Sequence, residues 1–94
     1  MPLERSEILA AEGQEEAFAA ALKEKIIPIL VDTPGVSSVV FGRGVENPDK
    51  FIILVDWESL DAHAAFNKGP TCAPFRALFG PYTRGGVMEH FNVG

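Results

Sequence analysis

Two histidines, His63 and His90, are the side chains here whose ordinary pKa, near 6.5, suits proton transfer at neutral pH. His63 stands between Leu60 and Phe66 at helical spacing, so it turns inward with them. There it serves either as a neutral core histidine with one hydrogen bond or as a pocket base. His90 lies in an alternating segment near the C-terminus, where it fits a pocket rim or a seam between two copies. Neither has a carboxylate cluster beside it in sequence, so no metal ligand set is expected. Trp57 ends an apolar run, where it packs under a helix or gives an aromatic ligand a flat wall and an N–H donor. Phe41, Phe66, Phe79 and Tyr82 come from separate segments and fill a core or line a greasy pocket. Arg43 sits between two glycines on the face of Val39 and Phe41. Turned inward, it needs an anionic ligand or an acid such as Glu89 or Asp56. Cys72 has no histidine near it in sequence and reads as a small packing residue. The chain carries no nucleophile elbow, phosphate loop, dinucleotide fingerprint or metalloprotease helix.

These residues must be positioned by a short series of elements. Residues 3–10 alternate enough for a first strand, and Gly13 breaks the chain after it. Residues 14–31 predict a helix: acids lie in its first turn, and Phe18, Leu22, Ile26 and Ile29 form one stripe. Pro28 should kink or loosen its last turn. Thr33-Pro34-Gly35 stops it. Residues 36–45 and 50–57 predict two strands, joined by the turn residues Glu46-Asn47-Pro48-Asp49 and therefore antiparallel. In the second, Phe51, Ile53, Val55 and Trp57 share one face and Ile52 and Leu54 the other. Both faces are apolar and both need cover. One helical layer covers one face, and a partner subunit is the simplest cover for the other. Ser59 can cap a helix over residues 60–67, a short helical segment follows at 71–79, and residues 84–93 predict a last strand. The order is β-α-β-β-α-β, the ferredoxin-like split pattern with an antiparallel sheet.

Ninety-four residues make one domain, spanning 1–94. At 47% hydrophobic residues the chain has more apolar material than one small core needs, so either the core is unusually dense or a second copy, in a homodimer, covers part of it. The net charge of −5 and the scattered bases argue against a nucleic-acid partner. No apolar run is long enough for a membrane helix. A single cysteine without an export signal points to the cytoplasm and excludes a disulfide scaffold.

Several segments resemble the antibiotic biosynthesis monooxygenase (ABM) domain family. They are Phe41-Gly-Arg-Gly, the run from Lys50 to His63, Phe75-Arg-Ala-Leu, Gly80-Pro-Tyr and Glu89-His-Phe. The resemblance implies a ferredoxin-like subunit that dimerises, sheet against sheet, into an α+β barrel. It also implies a cofactor-independent monooxygenase acting on a small aromatic substrate such as a phenol, quinol or anthrone. In that reaction His63 is the expected base. Trp57, Phe41, Arg43, Phe66, Phe79, Tyr82 and His90 are expected around the substrate, with neither metal nor cofactor. The haem-degrading relatives are recognised by an Asn on the first strand, a Trp on the second helix and a later ligating His. None of these stands at the matching positions here. Two alternatives stay open on the same scaffold. One is a non-enzymatic dimeric ligand-binding or stress-response protein; the other is a cofactor-free lyase or cyclase.

Overall fold

The computed structural model describes residues 2–93. Its elements run β1 (Pro2–Ala10), α1 (Glu15–Ala21), a π-helical turn (Leu22–Ile26), α2 (Ile27–Val31), β2 (Val36–Arg43), β3 (Lys50–Trp57), α3 (Leu60–Lys68), α4 (Cys72–Ala77) and β4 (Thr83–Asn92). The four strands form one antiparallel sheet in the order β2-β3-β1-β4. This is the expected α+β, ferredoxin-like arrangement, with α4 as the extra helical segment before the last strand.

The apolar stripe of the first helix seats on the sheet. Phe18, Leu22 and Ile26, with Leu30 in place of the expected Ile29, form one buried cluster with Phe51, Ile53, Val55 and Trp57 of β3. At the edge of that cluster the Phe18 and Phe51 rings meet edge-on at 4.9 Å. The expected disturbance at Pro28 lies one turn earlier than the proline itself. Ile27 donates its N–H to the carbonyl of Leu22, five residues back. In a regular helix the Pro28 ring would crowd the carbonyl of Glu24 and leave it without a donor. The wide turn just before the proline relieves that conflict while keeping the stripe aligned.

The second helical stretch is held at its start by two devices. Ser59 caps α3 by accepting the N–H of Ala62 at 3.1 Å. Gly35, at φ 88°, brings the loop after α2 against α3; a Cβ there would stand 2.4 Å from the Ala62 Cβ. Strand β2 ends at Arg43, short of the expected Val45. Gly44 instead opens the hairpin turn: its N–H donates to Lys50 at 2.7 Å, and a Cβ would meet the Asn47 carbonyl at 2.4 Å.

The outer face of the sheet is less uniform than the strand patterning suggests. Val40, Val87 and Phe91 are exposed there, and Ile52 and Leu54 are half-buried. Between these apolar groups runs a charged row in which Glu7 pairs with Lys50 at 3.0 Å and with Arg5 at 3.5 Å. The hydrogen bond and charge of Lys50 hold the Glu7 carboxyl below its ordinary pKa.

Candidate active site

Cross-strand register decides which side chains meet beneath α3. Val39, Val55, Glu4 and His90 lie in one row across β2, β3, β1 and β4, on the helix-facing side. The next row is Phe41, Ile53, Ser6 and Met88. The rows begin apolar and turn polar toward β4. Above the polar end α3 lowers His63, which is buried.

Glu4 is the hub. Its Oε1 accepts the Trp57 Nε1–H at 2.9 Å and lies 3.3 Å from His63 Nε2. Its Oε2 accepts the Ser6 hydroxyl at 3.0 Å. The Trp57 indole and the His63 imidazole stack, with centroids 4.5 Å apart and planes 12° from parallel. On its other side His63 Nδ1 stands 2.6 Å from His90 Nε2. A carboxylate only accepts, so the proton between Glu4 and His63 sits on Nε2. That leaves the lone pair on Nδ1, which accepts the Nε2–H of His90. The result is a chain Glu4–His63–His90 with a defined tautomer at its centre.

Burial pushes the His63 pKa below its ordinary value. The Glu4 carboxylate opposes the shift, and the nearby His90 and Arg76 reinforce it. His63 is therefore neutral at pH 7, with Nδ1 able to take a proton.

A cavity of about 310 Å³ opens against this chain. Glu4, Ser6, Trp57 and His63 form its polar wall; Phe66, Phe75, Phe79 and Met88 form much of the apolar one. Gly85 and Gly86 of β4 line it on the sheet side. Phe75 stacks edge-on against both Phe66 and Phe79, at 5.5 and 5.2 Å. Cys72 is buried at the same cavity, with its Sγ 3.9 Å from Asn67 Oδ1.

Of the residues singled out from sequence, the structure brings together His63, His90, Trp57, Phe66 and Phe79. His90 is turned to the helix side, against His63, and not to the outer face. Phe41, Arg43 and Tyr82 stand apart from the cavity. Phe41 is exposed on β2, with two strands between it and His90 on β4. Arg43 pairs with Glu16 at 2.6 Å, donates to the Pro48 carbonyl at 2.6 Å and lies over the Phe51 ring. Neither expected acid partner, Glu89 or Asp56, is the one it meets: helix α1 offers Glu16 directly above the strand. Tyr82 packs on Phe18, at 6.3 Å.

Glu4 was not anticipated. A buried indole N–H calls for an acceptor, and that demand was the available signal. The carboxylate also removes the argument that the histidines have no acid beside them. Glu4, His63 and His90 offer ligand-type atoms within 4.8 Å of one another, although they are joined in series through opposite nitrogens of His63.

Comparison with known proteins agrees with this architecture. A Bordetella bronchiseptica protein, provisionally described as an antibiotic biosynthesis monooxygenase, superposes with a TM-score of 0.86 at 25% identity, covering 99% of this chain and 96% of its own. SnoaB, a cofactor-independent oxygenase from Streptomyces nogalater, superposes with a TM-score of 0.85 at 12% identity, covering 99% and 92%. A Chloroflexus aurantiacus protein with the same provisional description reaches a TM-score of 0.78 at 24% identity, covering 99% and 93%. No curated protein matches by sequence. Among the described residues no helix is long and apolar enough to cross a membrane. The family model described as antibiotic biosynthesis monooxygenase matches residues 5–78, most of the chain, from within β1 to the end of α4, and the chain belongs to that family.

Proposed function

We propose that the protein is a cofactor-independent monooxygenase acting on a small aromatic substrate of the phenol, quinol or anthrone type. The observation that carries this reading is the Glu4–His63 pair at the wall of an aromatic cavity. The substrate lies between Phe66, Phe79 and Trp57. Its acidic O–H or C–H displaces the His90 N–H from His63 Nδ1 and gives up its proton there. Glu4 holds the imidazole in the right tautomer and stabilises the imidazolium that forms. The electron-rich anion then passes one electron to oxygen, and the radical pair combines. For an anthrone-type CH₂ the resulting hydroperoxide loses water and leaves a carbonyl, so CH₂ and O₂ become C=O and H₂O.

A base of matched pKa contributes about 10²–10⁴-fold. Oxygen uptake by chelator-treated protein is expected with a quinol, anthrone or naphthol, and His63→Ala should lose that factor. Full turnover in His63→Ala would remove the mechanism. Product formed equally well without oxygen would indicate a lyase or cyclase. One observation favours a second reading: His90 already occupies the His63 lone pair. A non-enzymatic dimeric ligand-binding or stress-response protein would show a bound aromatic compound by native mass spectrometry and no oxygen uptake.

The working unit in this reading is a cytoplasmic homodimer joined through the outer sheet face. The exposed Val40, Val87 and Phe91 beside Ile52 and Leu54 support it. Opposite charges introduced together, Ile52→Glu with Leu54→Lys, should yield monomers by light scattering; an unchanged dimer would overturn this part.

A further inference from the structure

We propose that the His63–His90 pair also binds one divalent transition-metal ion of the zinc type, held between His63 Nδ1 and His90 Nε2. The two nitrogens are 2.6 Å apart and share a single proton. Two imidazole nitrogens facing one another select zinc, copper or nickel over magnesium and calcium, which take oxygen ligands. Zinc–nitrogen bonds of about 2.0–2.1 Å at a tetrahedral angle place the nitrogens about 3.3 Å apart. The rings must therefore separate by a fraction of an ångström, and their surroundings decide which one moves. His63 is clamped by its stack on Trp57 and by Glu4. His90 is exposed on the edge strand β4 and free to shift.

Glu4 supplies the second element of a metal site. A metal-bound histidine ordinarily donates its other ring N–H to a carboxylate, which fixes the tautomer and raises the basicity of the ligating nitrogen. His63 already stands in that arrangement, with Nε2 on Glu4 and Nδ1 outward. His90 loses its Nε2 proton to solvent and takes one at Nδ1, so both rings stay neutral and each gives the ion a lone pair. Water completes the coordination from the exposed side of His90. An ion at this position occupies the lone pair that serves as the base, so zinc should inhibit the oxygenase. That last consequence rests on the reading above; the binding does not.

Calorimetric titration of the chelator-treated protein with Zn²⁺ tests the site, with Mg²⁺ as control. One zinc per chain is expected, with no magnesium uptake. His90→Ala, a change at an exposed position that leaves the fold intact, should weaken binding at least ~10-fold. Glu4→Gln should weaken it by about 10–100-fold. The His90 ring carbons and protons should shift in NMR spectra on adding zinc. Absence of one-to-one binding, or binding unchanged in His90→Ala, would overturn the proposal. Zinc binding without oxygen uptake would remove the oxygenase reading alone; uptake that zinc leaves untouched, without zinc binding, would remove the metal site alone.

Discussion

The two halves of the helix-facing sheet surface are built on the same rows and do opposite things. Under the first helix, on β2 and β3, the rows present Val39 with Val55 and Phe41 with Ile53. Under α3 and α4, the same rows continue as Glu4 with His90 and Ser6 with Met88. The first half is closed by Phe18, Leu22 and Ile26, none of them exposed. The second is left open as the cavity. Core packing stabilises in proportion to the contacts made, and it forbids space for a ligand. Rigidity and a cavity are thus divided between two halves of one sheet, with Trp57 as the joint. Its ring is buried in the core cluster while its N–H reaches Glu4.

The division can be broken most severely from the packed half. Phe18→Ala removes a fully buried ring and should cost about 3–5 kcal/mol in denaturant unfolding. Phe79→Ala, on the half-buried cavity wall, should cost less than half of that. Equal losses would mean that the two halves are packed alike. Next comes the polar half. Glu4→Gln keeps an acceptor for Trp57 and the shape of the side chain but no longer dictates which nitrogen of His63 carries the proton. Turnover should fall at least ~10-fold, while unfolding shifts by about 1 kcal/mol or less.

Smaller effects sharpen the boundary. Ser59→Ala removes the cap that sets the start of α3, four residues before His63, and should cost about 1 kcal/mol. Arg43→Ala breaks an ion pair whose Glu16 partner is largely in solvent. Its cost should stay within about 1 kcal/mol, with turnover unchanged. Mild acid reaches the polar half through His63. The folded pKa of His63 lies below the unfolded value near 6.5, so the unfolded chain binds the extra proton first. Stability should therefore fall as pH drops through 6.5 toward the folded pKa, and His63→Gln should flatten that dependence.

The packed half was the more legible in sequence, for a physical reason. A stripe at Phe18, Leu22 and Ile26 and the alternation of β3 are local patterns, and each is satisfied by any apolar surface. His63 was readable too, because helical spacing turns it inward with Phe66. The polar half depends on register, which local patterns do not carry. In Leu3-Glu4-Arg5-Ser6-Glu7 charges fall on both faces, so nothing in the run distinguishes Glu4, under α3, from Glu7, on the outer face. Arg43 failed in the opposite way. Its need for an acid was correct, but the acid came from Glu16, 27 residues earlier on a packed helix.

Trp57 is the only tryptophan of the chain, and its indole lies flat on the His63 imidazole, the proposed base. The molecule therefore contains its own optical gauge. An imidazolium stacked on an excited indole quenches it, whereas a neutral imidazole does so far less. Emission should dim on acidification with a midpoint below pH 6.5, and a ligand that blocks protonation should move that midpoint. The same spectrum, read without any label, would follow the state of the site during a reaction.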